Sequence, residues 1–304
     1  MQRKWNRREI LASAAACSVL PGVALGDESP AMRTAIIPSS GERLPVIGLG
    51  TYSVFDVEST KSEIESKKEI TRLLTAYGGS VVDTSPMYNR SEQVIGDVIS
   101  AGIDRSKLFI ATKVWTDGRD SGITQMQQSA KLMNTEVIDL MQVHNMRDTD
   151  IHMETIREWQ DEGQIRYNGI THYTASAFDS LQHEMKKYNP QFIQINYSLG
   201  EPEAGEYILP LAKEMGIAVL INRPFQSGRL FRAVDGQSLP DFASHFADSW
   251  GQFFLKFIVS HPAVTCVIPA TSKSKHVIDN LGAGFGELPD DRMRKRMSNF
   301  FKSL

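Results

Sequence analysis

Cysteine is nearly absent: Cys17 and Cys266 are the only two in 304 residues. Two thiols cannot build a disulfide framework or a cysteine-rich metal site. A basic excess is also missing. The 33 Lys and Arg side chains stand against 36 Asp and Glu, for a net charge of −3, so no broad cationic surface is available for nucleic acid. No apolar run reaches the ~20 residues that a membrane helix needs. Linkers, internal repeats and low-complexity tracts are absent after Gly26. What remains is an ordinary globular composition, with 41% hydrophobic and 23% charged residues.

The first residues read as a targeting segment. Arg3, Lys4, Arg7 and Arg8 precede an apolar, small-residue run from Ile10 to Leu25, and Ala24-Leu25-Gly26 offers a small-x-small cleavage step. Arg7-Arg8 directly before a weakly hydrophobic, alanine-rich stretch matches a twin-arginine export signal. An ordinary basic secretory signal is the alternative. A lipoprotein signal at Cys17 lacks the leucine expected three positions earlier. The sequence thus divides into a signal peptide (1–26) and one domain (27–304), with the bacterial periplasm as expected destination and the export machinery as a partner. A domain with one cysteine, Cys266, in an oxidising space fits export in the folded state.

Eight short β-branched runs follow: Val46–Tyr52, Ser80–Asp83, Leu108–Val114, Val137–His144, Ile165–Thr171, Phe192–Tyr197, Ile217–Asn222 and Thr265–Pro269. Segments with helical apolar spacing lie between them: Glu65–Tyr77, Ser91–Ser100, Ile151–Glu162, Ala175–Tyr188, Glu203–Met215, Phe242–Ser260 and Lys275–Gly282. Strands buried on both faces read as continuous apolar runs, as LFIATKV and IAVLIN do. Eight βα units in about 250 residues predict an α/β fold, a (β/α)8 TIM barrel. An open doubly wound sheet competes, but GLGTY lacks the third glycine of a dinucleotide-binding loop. Ala35–Pro45 predicts a β-hairpin able to plug the barrel bottom.

In such barrels the chemistry sits at the C-terminal strand ends. Asp83 ends the second strand, with Tyr88 just beyond it. Lys113 lies in the third strand and His144 ends the fourth. A tyrosine has a pKa near ~10. A nearby ammonium favours the phenolate and is expected to lower that value. Asp83 would hold Lys113, and His144 would orient a substrate carbonyl beside the Tyr88 hydroxyl. Each residue alone has a plain structural reading as cap, snorkelling lysine, packed ring or buried histidine. A lysine inside FIATKVW resists that reading, because an unpaired charge in a barrel core is costly. No metal-ligand cluster and no Ser or Cys nucleophile with a paired His is evident, which disfavours a hydrolase.

These blocks together resemble the aldo-keto reductase family: GLGTY (48–52), VVDTSPMYNRSEQVIG (81–96), ATKVW (111–115), DLMQVHNM (139–146), GITHYTASAFDSL (169–181), QINYS (194–198) and VIPATSKSKHVIDN (267–280). The resemblance covers nearly all of the domain. It implies NADP(H)-dependent reduction of an aldehyde or ketone to an alcohol, with Asp83, Tyr88, Lys113 and His144 as the catalytic set. A glutamate replaces that histidine in relatives that reduce steroid double bonds, so His144 implies carbonyl reduction. A non-catalytic or redox-sensing barrel, as in the potassium-channel β-subunit relatives, is the alternative.

The resemblance also implies the cofactor contacts, with departures. Thr51 and Asp83 are among these contacts. Thr171-His172 stands where the family has Ser-Asn, and Gln194 matches a third carboxamide contact. Asn222-Arg223-Pro224 replaces a stacking aromatic by a guanidinium, followed by a pyrophosphate loop, Phe225 to Gly228 with Ser227. The 2′-phosphate block has Ala270 and His276 where Lys and Arg are usual. It leaves Thr271, Ser272, Lys273 and His276 as donors, with Asp279 and Asn280 toward the adenine. NADP(H) is expected ahead of NAD(H). Tyr52, Met87, Tyr88, Trp115, His144 and Asn145 would line an open pocket for a small carbonyl substrate.

Overall fold

The computed structural model describes residues 31–304. The export signal expected within residues 1–26 lies outside the described residues. The described chain forms β1 (Thr34–Ile36), β2 (Arg43–Pro45), β3 (Leu49–Gly50), α1 (Lys61–Ala76), β4 (Val81–Asp83), α2 (Ser91–Ser100), β5 (Phe109–Val114), α3 (Arg119–Leu132), β6 (Ile138–His144) and α4 (Thr149–Asp161). It continues with β7 (Ile165–Thr171), α5 (Phe178–Tyr188), β8 (Phe192–Asn196), α6 (Ile208–Glu214), β9 (Ala218–Asn222), α7 (Arg229–Ala233), α8 (Trp250–Val259), β10 (Cys266–Val267), α9 (Ser274–Gly282) and α10 (Asp291–Lys302).

Strands β3 to β10 pair in sequence order, every neighbour parallel. Parallel bridges Ile47–Val267 and Gly50–Ala270 join the first strand to the last, so the sheet closes as a (β/α)8 barrel. The hairpin β1–β2 is antiparallel with Ala35 opposite Leu44. Its side chains Ile37 and Leu44 belong to the barrel-interior cluster with Val81, Phe109, Leu140, Tyr167 and Phe192. The hairpin therefore seals the N-terminal end, and the Tyr167 hydroxyl ties it down through Ser40 Oγ and Glu42 Oε2, both at 2.7 Å.

Side chains alternate across each strand, so residues two apart share the barrel lumen. Phe109, Ala111 and Lys113 point inward along β5, and Leu140, Gln142 and His144 along β6. The lower lumen is apolar and the upper lumen is polar. The alternate residues face the helices, where the larger apolar core lies. Glu92 opens α2 and fastens it there, accepting from Thr112 Oγ1 at 2.6 Å and from Ser129 Oγ at 3.1 Å.

Several helices depart from the sequence expectation. The stretch Phe242–Ser260 is not one helix: a short 3-10 turn at Asp241–Ala243 precedes α8, which starts where Ser249 Oγ accepts the Gln252 N–H. Glu203–Met215 likewise divides into a 3-10 turn and α6. Pro210 lacks an N–H and is tolerated in the first turn, which sets the start of α6 at Ile208. Ala175–Ala177 is also a 3-10 turn ahead of α5. Three helices, α3, α7 and α10, are not among those expected from periodicity. α3 is polar and buries only Gly122, Met126 and Ser129, so it writes no apolar stripe, whereas α10 does carry one, with Met293 and Phe301 packed beside buried Met297. Among the described residues no helix is long and apolar enough to cross a membrane.

The glycines of GLGTY serve barrel closure. A Cβ on Gly50 would stand 2.8 Å from the Ile268 carbonyl oxygen, where the Gly50 N–H reaches Pro269 O at 3.1 Å. Gly50→Ala is expected to destabilise the fold by roughly 1–3 kcal/mol, through forced opening of this backbone seam. A urea titration reads this as a lower midpoint at unchanged slope. An unchanged midpoint would show that the seam has slack.

Candidate active site

The upper lumen is organised around one ion pair. Lys113 Nζ lies 2.8 Å from Asp83 Oδ1, 2.9 Å from Oδ2 and 2.6 Å from the Thr84 carbonyl oxygen. The Lys113 side chain is 0% exposed and the Asp83 side chain 3%. The ammonium is thus surrounded by oxygen acceptors, with the Tyr88 side chain also within its reach. Gln194 Nε2 donates to Asp83 Oδ2 at 2.6 Å, and Gln142 Nε2 approaches the same oxygen at 3.5 Å. The backbone N–H and hydroxyl of Thr51 reach the Asp83 carbonyl at 3.0 and 2.9 Å. Strand register explains the convergence. Asp83 pairs with Ala111, two residues before Lys113, and Lys113 pairs with Gln142, two residues before His144. All keep the same parity and face the lumen.

Tyr88 sits above the pair, on the turn after β4. Lys113 Nζ is 5.2 Å from its ring centre. The Tyr88 ring meets His144 edge-on at 6.1 Å and Tyr52 at 5.1 Å, and Trp115 meets His144 at 6.4 Å. The sequence argument expected Lys113 to lower the tyrosine pKa. The net shift is upward, because burial outweighs the pull of Lys113. Lys113 itself is opposed by burial, but Asp83 and Tyr88 outweigh that and hold it above the usual lysine value. His144 is pushed down to about 2 by burial, then by the charge of Lys113 and by His172, so its imidazole is neutral across physiological pH. Tyr52 and Met87 are exposed at the rim.

Loops at this end hold left-handed backbone at residues other than glycine, Ser53 (φ 60°) after β3 and Asn89 (φ 51°) after β4 among them. After β6 these are Asn145 (φ 56°), Met146 (φ 55°) and Asp148 (φ 52°). After β9 they are Arg223 (φ 50°), Gln226 (φ 50°) and Ser227 (φ 53°), ahead of Gly228 (φ 82°). Such strain gathers where a loop is shaped for a ligand. The loop after β6 is braced by Arg147. It pairs with Asp117, its Nε lying 2.8 Å from Oδ1, and lies over the Trp115 ring at 5.0 Å. Asp148 Oδ2 accepts the Gly118 N–H at 2.7 Å.

The sequence profile of the Aldo/keto reductase family matches residues 46–297. The chain belongs to the aldo/keto reductase family. It is 26% identical over 265 residues to a glyoxal reductase of Bacillus subtilis (strain 168), covering 84% of this chain and 89% of that one. It is also 26% identical over 262 residues to a methylglyoxal reductase of Escherichia coli (strain K12), covering 82% and 89%. Among solved structures, an aldo/keto reductase from Klebsiella pneumoniae in complex with NADP and acetate superposes with a TM-score of 0.74 at 21% identity, over 86% of this chain and 93% of that one.

In this aldo/keto reductase the residues expected at the cofactor fall into three groups. Thr51, Asp83, Thr171 and Gln194 are buried in the upper lumen. Thr171 Oγ1 is 3.3 Å from Gln194 Oε1, and Asn222 Nδ2 donates to the His172 carbonyl at 3.1 Å. Arg223, Pro224, Phe225, Ser227 and Gly228 form the left-handed loop. Arg223 lies over the Tyr173 ring at 5.7 Å, and Tyr173 stacks on His172 at 5.4 Å. Tyr173 thus joins a stack that the sequence argument missed. The third group, Thr271 to Asn280, is mixed. Ser272, Lys273 and His276 are exposed. Thr271 and Asn280 are buried, and Asp279 accepts from Ser249 Oγ at 2.8 Å. Also missed were Gln142, which inward parity from His144 would have found, and Ser85, for which the sequence carries no signal beyond its place between Asp83 and Tyr88. A cleft of about 820 Å3 opens at the opposite end among Arg105, Lys131, Asp139 and Arg166, away from these residues.

The low pKa of His144 makes stability depend on pH. The unfolded chain takes up a proton near the ordinary histidine value of about 6.5, which the folded chain refuses until about 2. Stability contributed by the neutral ring is therefore full above pH ~6.5 and lost as pH falls toward ~2. Urea stability of the native chain should drop by about 1 kcal/mol more than that of His144→Gln between pH ~7 and ~5.5. Parallel curves for the two proteins would refute a buried neutral His144.

Proposed function

We propose that the chain reduces a small aldehyde or ketone to its alcohol with NADP(H). The observation that carries this reading is the buried Lys113–Asp83 pair beneath Tyr88 and beside His144. That arrangement can deliver a proton and absorb the charge left behind. The relatives named as glyoxal and methylglyoxal reductases, and the NADP complex of a structural neighbour, support a dicarbonyl-type substrate and NADP(H) over NAD(H).

The site suits that cofactor chemically. Gln142 Oε1, Asn145 Oδ1, Asn196 Oδ1, Asn222 Oδ1 and Gln226 Oε1 are buried acceptors without a partner among the described residues. A carboxamide N–H or a ribose hydroxyl supplies the donor such groups need. Thr171, His172, Gln194 and Asn222 would hold the nicotinamide end, the Arg223–Gly228 loop the pyrophosphate, and Thr271, Ser272, Lys273 and His276, with Asp279 and Asn280, the adenosine end. When bound, NADPH supplies the hydride. The protein supplies the rest. Tyr88, kept protonated by burial, donates its proton to the carbonyl oxygen. Lys113 neutralises the phenolate that this leaves, and Asp83 fixes Lys113. Neutral His144 orients the carbonyl, between Tyr88 and the wall formed by Tyr52, Trp115 and Asn145.

Tyr88→Phe should bind NADPH with native affinity in a fluorescence titration, yet reduce methylglyoxal at least ~10²-fold more slowly, since the proton donor is gone. Near-native turnover would defeat the assignment. NADPH binding by the native chain without any carbonyl turnover would point instead to a cofactor-holding, sensory barrel.

We further propose that residues 1–26 export the folded domain, 27–304, to the bacterial periplasm by the twin-arginine route. Support comes from Arg7-Arg8 ahead of an alanine-rich run and from a domain whose one cysteine, Cys266, is buried in the barrel. Cofactor that binds only folded protein would then be loaded before transport. Exchanging Arg7-Arg8 for Lys-Lys keeps the charge and should strand precursor in the cytoplasm on fractionation. Undiminished export would show a general secretory signal.

A further inference from the structure

Ser85 lies between Asp83 and Tyr88 on the turn leaving β4, and its side chain is fully buried. Its hydroxyl oxygen is 3.1 Å from His144 Nδ1 and receives the Met87 backbone N–H at 3.3 Å. A serine hydroxyl has one donor and two acceptor sites. The Met87 N–H takes one acceptor site. For the hydroxyl proton, His144 Nδ1 is the one acceptor within bonding distance among the described residues. If Nδ1 carried a hydrogen instead, the serine proton would be buried without an acceptor, at a real desolvation cost.

We propose that Ser85 is a positioning residue that locks His144 in the neutral tautomer with the hydrogen on Nε2. The far nitrogen then becomes a fixed donor on the ring that Tyr88 and Trp115 flank edge-on. The carbonyl oxygen that accepts the Tyr88 proton meets a second donor, and its orientation is set before the reaction starts. An imidazolium also requires a hydrogen on Nδ1, so the same serine opposes protonation of His144. This acts in the same direction as burial and the Lys113 charge. The use of the Nε2 hydrogen rests on the carbonyl-reductase reading. The tautomer itself rests on the hydrogen-bond geometry alone.

The test uses the 15N-labelled native chain and long-range proton–nitrogen NMR of its imidazoles. His144 is identified by the signals that vanish in His144→Gln. An unprotonated Nδ1 and a protonated Nε2, unchanged from pH ~7 to ~5.5, are expected. Ser85→Ala should give mixed tautomers at His144, lower kcat for methylglyoxal about tenfold, as for one neutral hydrogen bond, and leave KM for NADPH unchanged. Ser85→Thr keeps the hydroxyl and should restore both nitrogen signals and kcat. A protonated Nδ1 in the native chain, or a native tautomer in Ser85→Ala, would overturn the assignment. A native chain with the expected nitrogen signals but no carbonyl turnover would defeat the proposed function and leave the role of Ser85 in setting the tautomer supported.

Discussion

Everything at the upper end of this barrel answers to one constraint, a lysine ammonium with no access to water. Lys113 could not remain charged in the lumen without Asp83, and neither could remain buried with spare hydrogen-bonding capacity. The ammonium donates to the two Asp83 oxygens and to Thr84 O. Asp83 in turn takes Gln194 and, more distantly, Gln142. Removing either charge strands the other, and such losses cost about 3–5 kcal/mol. A buried pair of this kind often contributes no more stability than a well-packed apolar filling would, which turns attention to what stands above it.

What stands above it is a pair of groups held neutral by the same burial. Tyr88 is kept protonated although a cation lies beneath it, and His144 is kept unprotonated by burial and by that cation. A fixed positive charge under a neutral phenol and beside a neutral imidazole is an environment that would stabilise a phenolate formed there. The dry lumen would strengthen the interaction between such a phenolate and Lys113, because little water is there to screen it.

The remainder of the fold keeps this layer in place. Below it, Phe109, Leu140, Tyr167 and Phe192 fill the lumen, and the hairpin closes the base with Ile37 and Leu44. Around it, the strands pack their alternate faces against the helices. Regular structure ends at the site, and the loops after β6 and β9 take up left-handed conformations there. Rigid strands hold the buried charged and titratable groups, and shaped loops surround the place where ligands would enter.

The sequence by itself determined whatever depends on local period. Continuous apolar runs marked the strands, helical spacing marked most helices, and polar residues within or ending such runs singled out Lys113 and His144. The set Asp83, Tyr88, Lys113 and His144 was legible because a lysine in a buried strand demands a partner. Helix α3 was not legible, since it is polar and barely buried, and the start of α8 moved because Ser249 caps it. Tertiary structure alone decided the contacts that cross strands: Ser85 on His144, Gln142 and Gln194 on Asp83, Arg223 on Tyr173, and Gly50 against Ile268. It also decided the sign of the Tyr88 shift, because burial depends on how the whole barrel closes. Periodicity tells which face a residue occupies. Which residues meet across the lumen is set by register and closure, and these are properties of all eight strands together.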